Sequence, residues 1–145
     1  MTDKNIVSRR SFIFCPGLRP DMFPKAVNSG TDIVCIELED GIAPKDKDEA
    51  RKLTLSLFNT VLDGKGAELI VRVNSVRDEF GLADIRAILE TSSPPPAIML
   101  PKVKTPDEVK WVDELLSERE HKTRLHVIIE TNAGLEAVYD IAKSS

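Results

Sequence analysis

The chain has 145 residues, is 41% hydrophobic and 30% charged, and carries a formal net charge of −4, as expected of a globular chain with length for one domain at most. Acidic and basic residues interleave, so no continuous basic surface exists for a nucleic-acid backbone, and nucleic acid is not an expected partner. No run approaches the roughly 18 apolar residues of a membrane span, and the opening MTDKNIVSRRSF lacks the apolar stretch and cleavage site of a secretory leader; the expected compartment is the cytoplasm.

In chain order, the first element is a β-rich apolar run, SFIFCP (11–16), followed by PDMFPKAVNSG, a short helix with a glycine stop. DIVCIELE (32–39) forms the second strand, and KDEARKLTLSLFNTVL (47–62) a helix with Ala50, Leu53, Leu57 and Val61 along one face. ELIVRVN (68–74) is the third strand, with GLADIRAILE (81–90) as its helix. SSPPP reads as a stiff connection into PAIMLPKV (96–103), after which TPDEVKWVDELLSERE (105–120) opens with a capping box of Thr105 and Glu108 around Pro106. Trp111 is expected on the inner face of that helix with Leu115. LHVIIET (125–131) and the helix AGLEAVYDIAKSS (133–145) make the fifth unit. Cys15 and Cys35 lie in apolar runs without metal-type spacing and are expected to be buried, reduced thiols.

Five consecutive βα units with apolar strands and short connections predict a parallel sheet covered by helices, in a single domain over 1–145. Two architectures fit: an open doubly wound sheet of flavodoxin type, or the first five units of a (β/α)8 barrel, which normally takes about 250 residues. The unusual polar residues gather at one end of each unit. Arg19 follows the first strand, Glu39 and Asp40 end the second, Arg72 and Asn74 the third, Lys102 the fourth and Glu130 the fifth. Strand carboxyl ends form the active face in both architectures. Residues two apart share a side, so Arg72 is expected to point with Asn74, and Glu37 with Glu39, which suits a barrel mouth better than a sheet buried between helices.

Each of these residues also has a purely structural reading. Glu39 and Asp40 could cap the following helix, and Lys102 could simply reach solvent. Glu130 could be an acid favoured at a helix start. Arg72, flanked by Val71 and Val73, is harder to explain that way, because a buried ion pair with Glu39 seldom gains stability. His121, in the charged run SEREHKTR, and His126, at the far end of its strand, are not expected catalysts. Glycine-rich phosphate loops, Cys/His zinc spacings and serine-nucleophile motifs are absent from the sequence.

RRSFIFCPGLRPDMFPKAVNSGTDIVCIELEDGIAPKDKDEAR, then VRVN, IMLPKV and VIIETNAGLEAVYDIA, resemble the citrate lyase β-subunit and malyl-CoA lyase group of the HpcH/HpaI aldolase superfamily. The resemblance runs from about residue 9 to the end and covers about the first half of a family member. It implies a Mg2+-dependent TIM barrel, trimeric or hexameric, that makes or breaks a carbon–carbon bond beside a CoA thioester. By motif position, Glu130 would be a direct metal ligand, Glu39 and Asp40 would hold waters on the metal, and Arg72 would contact substrate. Phe14, Arg19 and Lys25 match the CoA-contacting region, and Asn74 and Lys102 are further candidates for substrate binding. Mg2+ takes hard oxygen ligands and keeps several waters, and a permanently charged arginine suits a developing enolate.

The family's second direct metal ligand, an Asp on the sixth strand, lies beyond Ser145, so the 145 residues alone are expected to bind Mg2+ weakly and to turn over poorly unless completed by a partner chain. Glu37 stands where the family more often has Asp, and Gly41-Ile42, directly after the acids, where it has Ala-Val or Ser-Val. Two other functional readings stay open: an aldolase on free 2-oxo acids without CoA, against which Arg19 and Lys25 argue, and a non-catalytic half-barrel or binding module. The acyl group, whether malyl, citramalyl, methylmalyl or citryl, and the acyl carrier, CoA or a carrier protein, are not set by these residues.

Overall fold

A computed structural model describes residues 8–60 and 63–144. Five parallel strands, β1 (Phe12–Pro16), β2 (Ile33–Glu37), β3 (Glu68–Arg72), β4 (Ala97–Leu100) and β5 (Arg124–Val127), lie side by side in chain order. In a flavodoxin-type sheet the first strand sits between the second and third. Sequential order without such a reversal is that of a barrel wall, and this decides between the two architectures open at the level of sequence.

The helices α1 (Phe23–Val27), α2 (Lys47–Phe58), α3 (Glu79–Glu90), α4 (Pro106–Glu118), α5 (Asn132–Glu136) and α6 (Val138–Ala142) alternate with the strands. Alternate strand residues form the larger core with them: Val34, Ile36, Val71, Ile98 and Leu100 pack with Ile85, Val109, Val112 and Leu116. The other face holds a smaller apolar cluster of Ile33, Cys35, Ile70, Ala97 and Met99, brought into line by the pairings Cys35 with Ile70 and Ile70 with Ala97. A sheet apolar on both faces explains strands that read as continuous hydrophobic runs. Both cysteines are buried and free, and burial pushes the Cys35 thiol up to about 12, so it is inert as a nucleophile.

Several expectations are corrected. The strands end two to four residues earlier than the apolar runs, at Glu37, Arg72, Leu100 and Val127, so Glu39, Asn74, Lys102 and Glu130 stand on the loops beyond the sheet. Strands β2 to β4 are covered, but β1 and β5 are partly exposed. On α2 the inner stripe is Lys47, Ala50 and Thr54, with Leu57 and Phe58 against the core; Leu53 is only half-buried. Val61 lies outside the described residues. Trp111 is 41% exposed, because the inner face of α4 is set by Val109, Val112 and Leu116. The last helix is kinked at Ala137 into α5 and α6, with Ile141 N–H still donating to Ala137 O across the kink at 2.9 Å.

Two glycines permit close backbone approach. A Cβ on Gly81 would fall 1.9 Å from Ser75 O, and one on Gly134 would fall 2.3 Å from Val103 O; at both places a helix start presses against a loop at the strand carboxyl ends. The capping box on α4 is formed, with the Thr105 N–H donating to Glu108 Oε1 at 3.0 Å.

Candidate active site

Parallel pairing places Glu37 directly opposite Arg72 at the carboxyl ends of β2 and β3. Arg72 Nε donates to Glu37 Oε2 at 2.7 Å, and its Nη2 bonds the same oxygen. The other Glu37 oxygen accepts the backbone N–H of Glu39. Arg72 also lies 3.3 Å from Glu39 Oε2, and its guanidinium carbon stands 4.8 Å from the centre of the Phe14 ring, within cation–π range. Burial works against the Arg72 charge, but the bond and attraction to Glu37 outweigh it and the pKa is raised.

Lys102 continues this chain of alternating charge. Its Nζ lies 2.5 Å from Glu39 Oε1 and 2.9 Å from Asp40 Oδ1, and its backbone N–H donates to Glu130 Oε1 at 2.9 Å. The bond from Lys102 holds the Asp40 carboxyl below its ordinary range; contact with Glu39, then Asp40, raises the lysine. Glu39 is 4% exposed, yet neither of its carboxylate oxygens receives a well-directed hydrogen bond. Its contacts are ionic only.

The structure thus brings Glu39, Asp40, Arg72, Lys102 and Glu130 together, with Phe14 beside them. Asn74 is a correction. It is 3% exposed and lies beyond the ladder's end at Arg72, where its side chain meets Asp84 and Lys47 while that of Arg72 meets Glu37. Its Nδ2 and backbone N–H donate to Asp84 Oδ2 at 2.7 and 2.8 Å, and its Oδ1 accepts from Lys47 at 2.5 Å, so both amide atoms already serve the protein. Arg19 is also set apart, held at the surface by a two-bond pair with Asp21, 2.8 Å for each bond. Lys25 is exposed on α1 and lines, with Ile13, Phe14, Met22 and Ala26, a cavity of about 280 Å³. Phe14 therefore connects that cavity to Arg72.

Sequence reasoning missed Lys47. Its buried ammonium donates to the carbonyls of Leu38 and Glu39 at 2.8 and 2.5 Å as well as to Asn74, clamping the turn that presents Glu39 and Asp40. Desolvation lowers its pKa despite nearby Asp84 and Glu39. Asp84 is held in turn by Arg51 at 2.7 Å. The only sequence signal was a lysine at a helix start inside the charged run KDKDEAR, which resembles any solvated surface.

These features define a class: a parallel βα wall of barrel order whose carboxyl-end rim sets buried and exposed acids against one arginine and one lysine. The chain belongs to the HpcH/HpaI aldolase/citrate lyase family, whose profile matches residues 10–145. It is 35% identical over 143 residues to an L-malyl-CoA/beta-methylmalyl-CoA lyase of Rhodobacter capsulatus, covering 94% of this chain and 45% of that protein. RipC from Yersinia pestis superposes with a TM-score of 0.77 at 32% identity, over 96% of this chain and 54% of RipC. CitE from Mycobacterium tuberculosis, in complex with magnesium, acetoacetate and coenzyme A, superposes with a TM-score of 0.72 at 28% identity, over 95% of this chain and 47% of CitE. The chain thus spans about half the length of these relatives.

Hard oxygen donors with spare lone pairs are what a hydrated divalent cation takes. Among the described residues no three His, Cys, Asp or Glu side chains form a complete metal cluster. Glu130, exposed at the mouth, and the ion-paired oxygens of Glu39, each with a lone pair to spare, fit a cation that keeps most of its waters, with one direct carboxylate and others acting through water.

Proposed function

We propose that the protein is a carbon–carbon lyase acting on a CoA thioester of the malyl type, with Mg2+ at the strand carboxyl ends, and that it works as a trimer or hexamer. The observation that carries this reading is the charge chain Glu37, Arg72, Glu39, Lys102 and Asp40, with Glu130 held to the backbone of Lys102. Support comes from the kinship with the Rhodobacter lyase and with the CitE complex that contains magnesium, acetoacetate and coenzyme A.

Bound Mg2+ would orient and polarise the 2-hydroxy or 2-oxo carboxylate of the substrate. In the cleavage direction the substrate hydroxyl passes its proton to water, the carbon–carbon bond breaks, and its electron pair passes to the thioester carbonyl as an enolate, which takes a proton from water on carbon to give acetyl-CoA and a 2-oxo acid. Arg72 is placed to stabilise the enolate oxygen, preorganised by Glu37 and the Phe14 ring. Glu130 would hold the cation, and Glu39 and Asp40 would act on it through water. Lys47 and Asn74 hold the acid-bearing turn. Phe14 and Lys25, on the 280 Å³ cavity, meet the CoA moiety.

Release of acetyl-CoA from malyl- and citramalyl-CoA, with and without Mg2+, tests the reading. Arg72→Lys is expected to lower kcat by about 100-fold or more, the typical effect of losing a preorganised oxyanion donor. Cleavage that is independent of Mg2+, or insensitive to Arg72→Lys, rules the reading out. A second reading, an aldolase on free 2-oxo acids, gains weight from the Arg19–Asp21 pair, which ties up one of the two cations expected to meet CoA phosphates. Faster turnover of the free hydroxy acid than of its CoA thioester selects it.

A further inference from the structure

Lys102 occupies an unusual position. Its φ is +54°, the left-handed region that disfavours a branched Cα and suits glycine. A lysine kept there needs a compensating interaction, and both halves of the residue supply one. The backbone N–H, turned by that conformation, meets Glu130 Oε1 at 2.9 Å. The ammonium reaches the opposite side of the mouth, at 2.5 Å from Glu39 Oε1 and 2.9 Å from Asp40 Oδ1. One residue therefore touches all three acids to which the proposed metal site is assigned.

The two halves differ in their freedom. The backbone contact is fixed by the loop, whereas the Lys102 side chain is 44% exposed and can swing to water on its flexible stem. Its partner Glu39 cannot follow, being 5% exposed in its side chain and held by the Lys47 clamp on its carbonyl. A divalent cation drawn to these carboxylates and the ammonium of Lys102 would occupy the same few ångströms, and like charges at that range repel strongly.

Resting on the Mg2+ reading above, we propose that Lys102 is a tethered counter-ion: its ammonium neutralises Glu39 and Asp40 when no divalent cation is bound and is displaced when one arrives, while its backbone keeps Glu130 in place throughout. Lys102 thereby sets the affinity of the site for metal. The exchange is ionic and no covalent bond changes. Besides limiting metal affinity, the arrangement keeps buried Glu39 from relying on Arg72 alone, at 3.3 Å, in the metal-free protein.

Mn2+ is the probe, titrated by electron paramagnetic resonance against the wild type, Lys102→Gln and Lys104→Gln. Lys104 is an exposed lysine two residues away, so it controls for a general loss of positive charge. Lys102→Gln is expected to bind Mn2+ about tenfold more tightly, equivalent to about 1.4 kcal/mol of relieved repulsion, and Lys104→Gln to change affinity less than about twofold. In the wild type, amine acetylation followed by mass spectrometry is expected to label Lys102 severalfold faster once Mn2+ saturates the site, with Lys104 unchanged. Equal affinities for the two variants, weaker binding by Lys102→Gln, or labelling of Lys102 that is unchanged or slower with Mn2+ overturns the proposal while leaving the metal site standing. Failure of all three proteins to bind Mn2+ even at millimolar metal, where the weak affinity expected of these 145 residues would still register, overturns the metal site itself, and the proposal with it.

Discussion

The sheet carries a charged cluster at each end of its concave face, and the two are built on opposite balances. At the amino ends of the strands a single acid, Glu68, is surrounded by Arg9 at 2.6 Å, Arg124 at 2.9 Å and His126 at 3.1 Å. At the carboxyl ends the acids Glu37, Glu39 and Asp40 share Arg72 and Lys102. The first cluster saturates its acid. The second divides two cations among three acids, with Glu130 held to the backbone of Lys102, so it carries an excess of negative charge that suits the proposed cation. Similar residue types thus make a plug at one pole and a site at the other, and what separates them is the ratio of acids to bases.

The largest effect expected from breaking this comparison is at Arg72. Its side chain is 15% exposed and that of Glu37 is 6% exposed, so Arg72→Met strands a buried carboxylate; a loss of about 3–5 kcal/mol is expected in urea unfolding. Lys47→Met comes next, at about 2 kcal/mol, since it leaves the Leu38 carbonyl and Asn74 Oδ1 without a donor, while the Glu39 carbonyl keeps only the Ile42 N–H. Glu68→Gln is expected to cost less, about 1–2 kcal/mol, because the arginines it releases, with side chains 42% and 56% exposed, can turn to water. Arg9→Ala should fall below about 1 kcal/mol, as for a half-exposed pair. A cost for Glu68→Gln equal to that for Arg72→Met would erase the distinction between the poles.

Acid titration sharpens the same contrast. Burial alone would raise the Glu68 carboxyl, but the bonds from Arg9 and His126 and the charge of Arg124 prevail and hold it below its ordinary 4.5. With the folded value depressed, the unfolded chain takes up the proton more readily on acidification. The stability Glu68 contributes is therefore complete above about pH 4.5 and is lost as the pH falls through the folded value. The gap between wild type and Glu68→Gln, read from urea midpoints at a series of pH values, is expected to narrow below that point. A constant gap down to pH 3 would mean that Glu68 acts by shape and not by charge.

Much of the architecture was legible in the residues. Apolar runs separated by helical stripes gave five βα units in the right order, Thr105 and Glu108 marked the start of α4, and the polar residues at the strand ends pointed to one face. Arg72 stood out because a charge between Val71 and Val73 demands a partner. The failures share a cause. Asn74 was expected to point with Arg72, but alternation ends with the ladder, and Asp84 and Lys47 claimed its amide. Trp111 was assigned inward by a stripe that Val109, Val112 and Leu116 already filled. Lys47 looked like a surface charge, and Glu68 drew no notice as the first residue of a strand, because burial of a charged residue is decided by distant partners.

By itself the sequence determined what depends on neighbours along the chain: the alternation of strand and helix, the capped start of α4, and which acids and bases fall near strand ends. Only the tertiary structure decided the order of strands, the contact of Arg72 with Glu37 across 35 positions of sequence, and the reach of Lys102 to Asp40 across 62. Hydrophobic periodicity and capping are short-range effects of backbone geometry, whereas parallel register and the pairing of charges are settled when separate segments exclude water together.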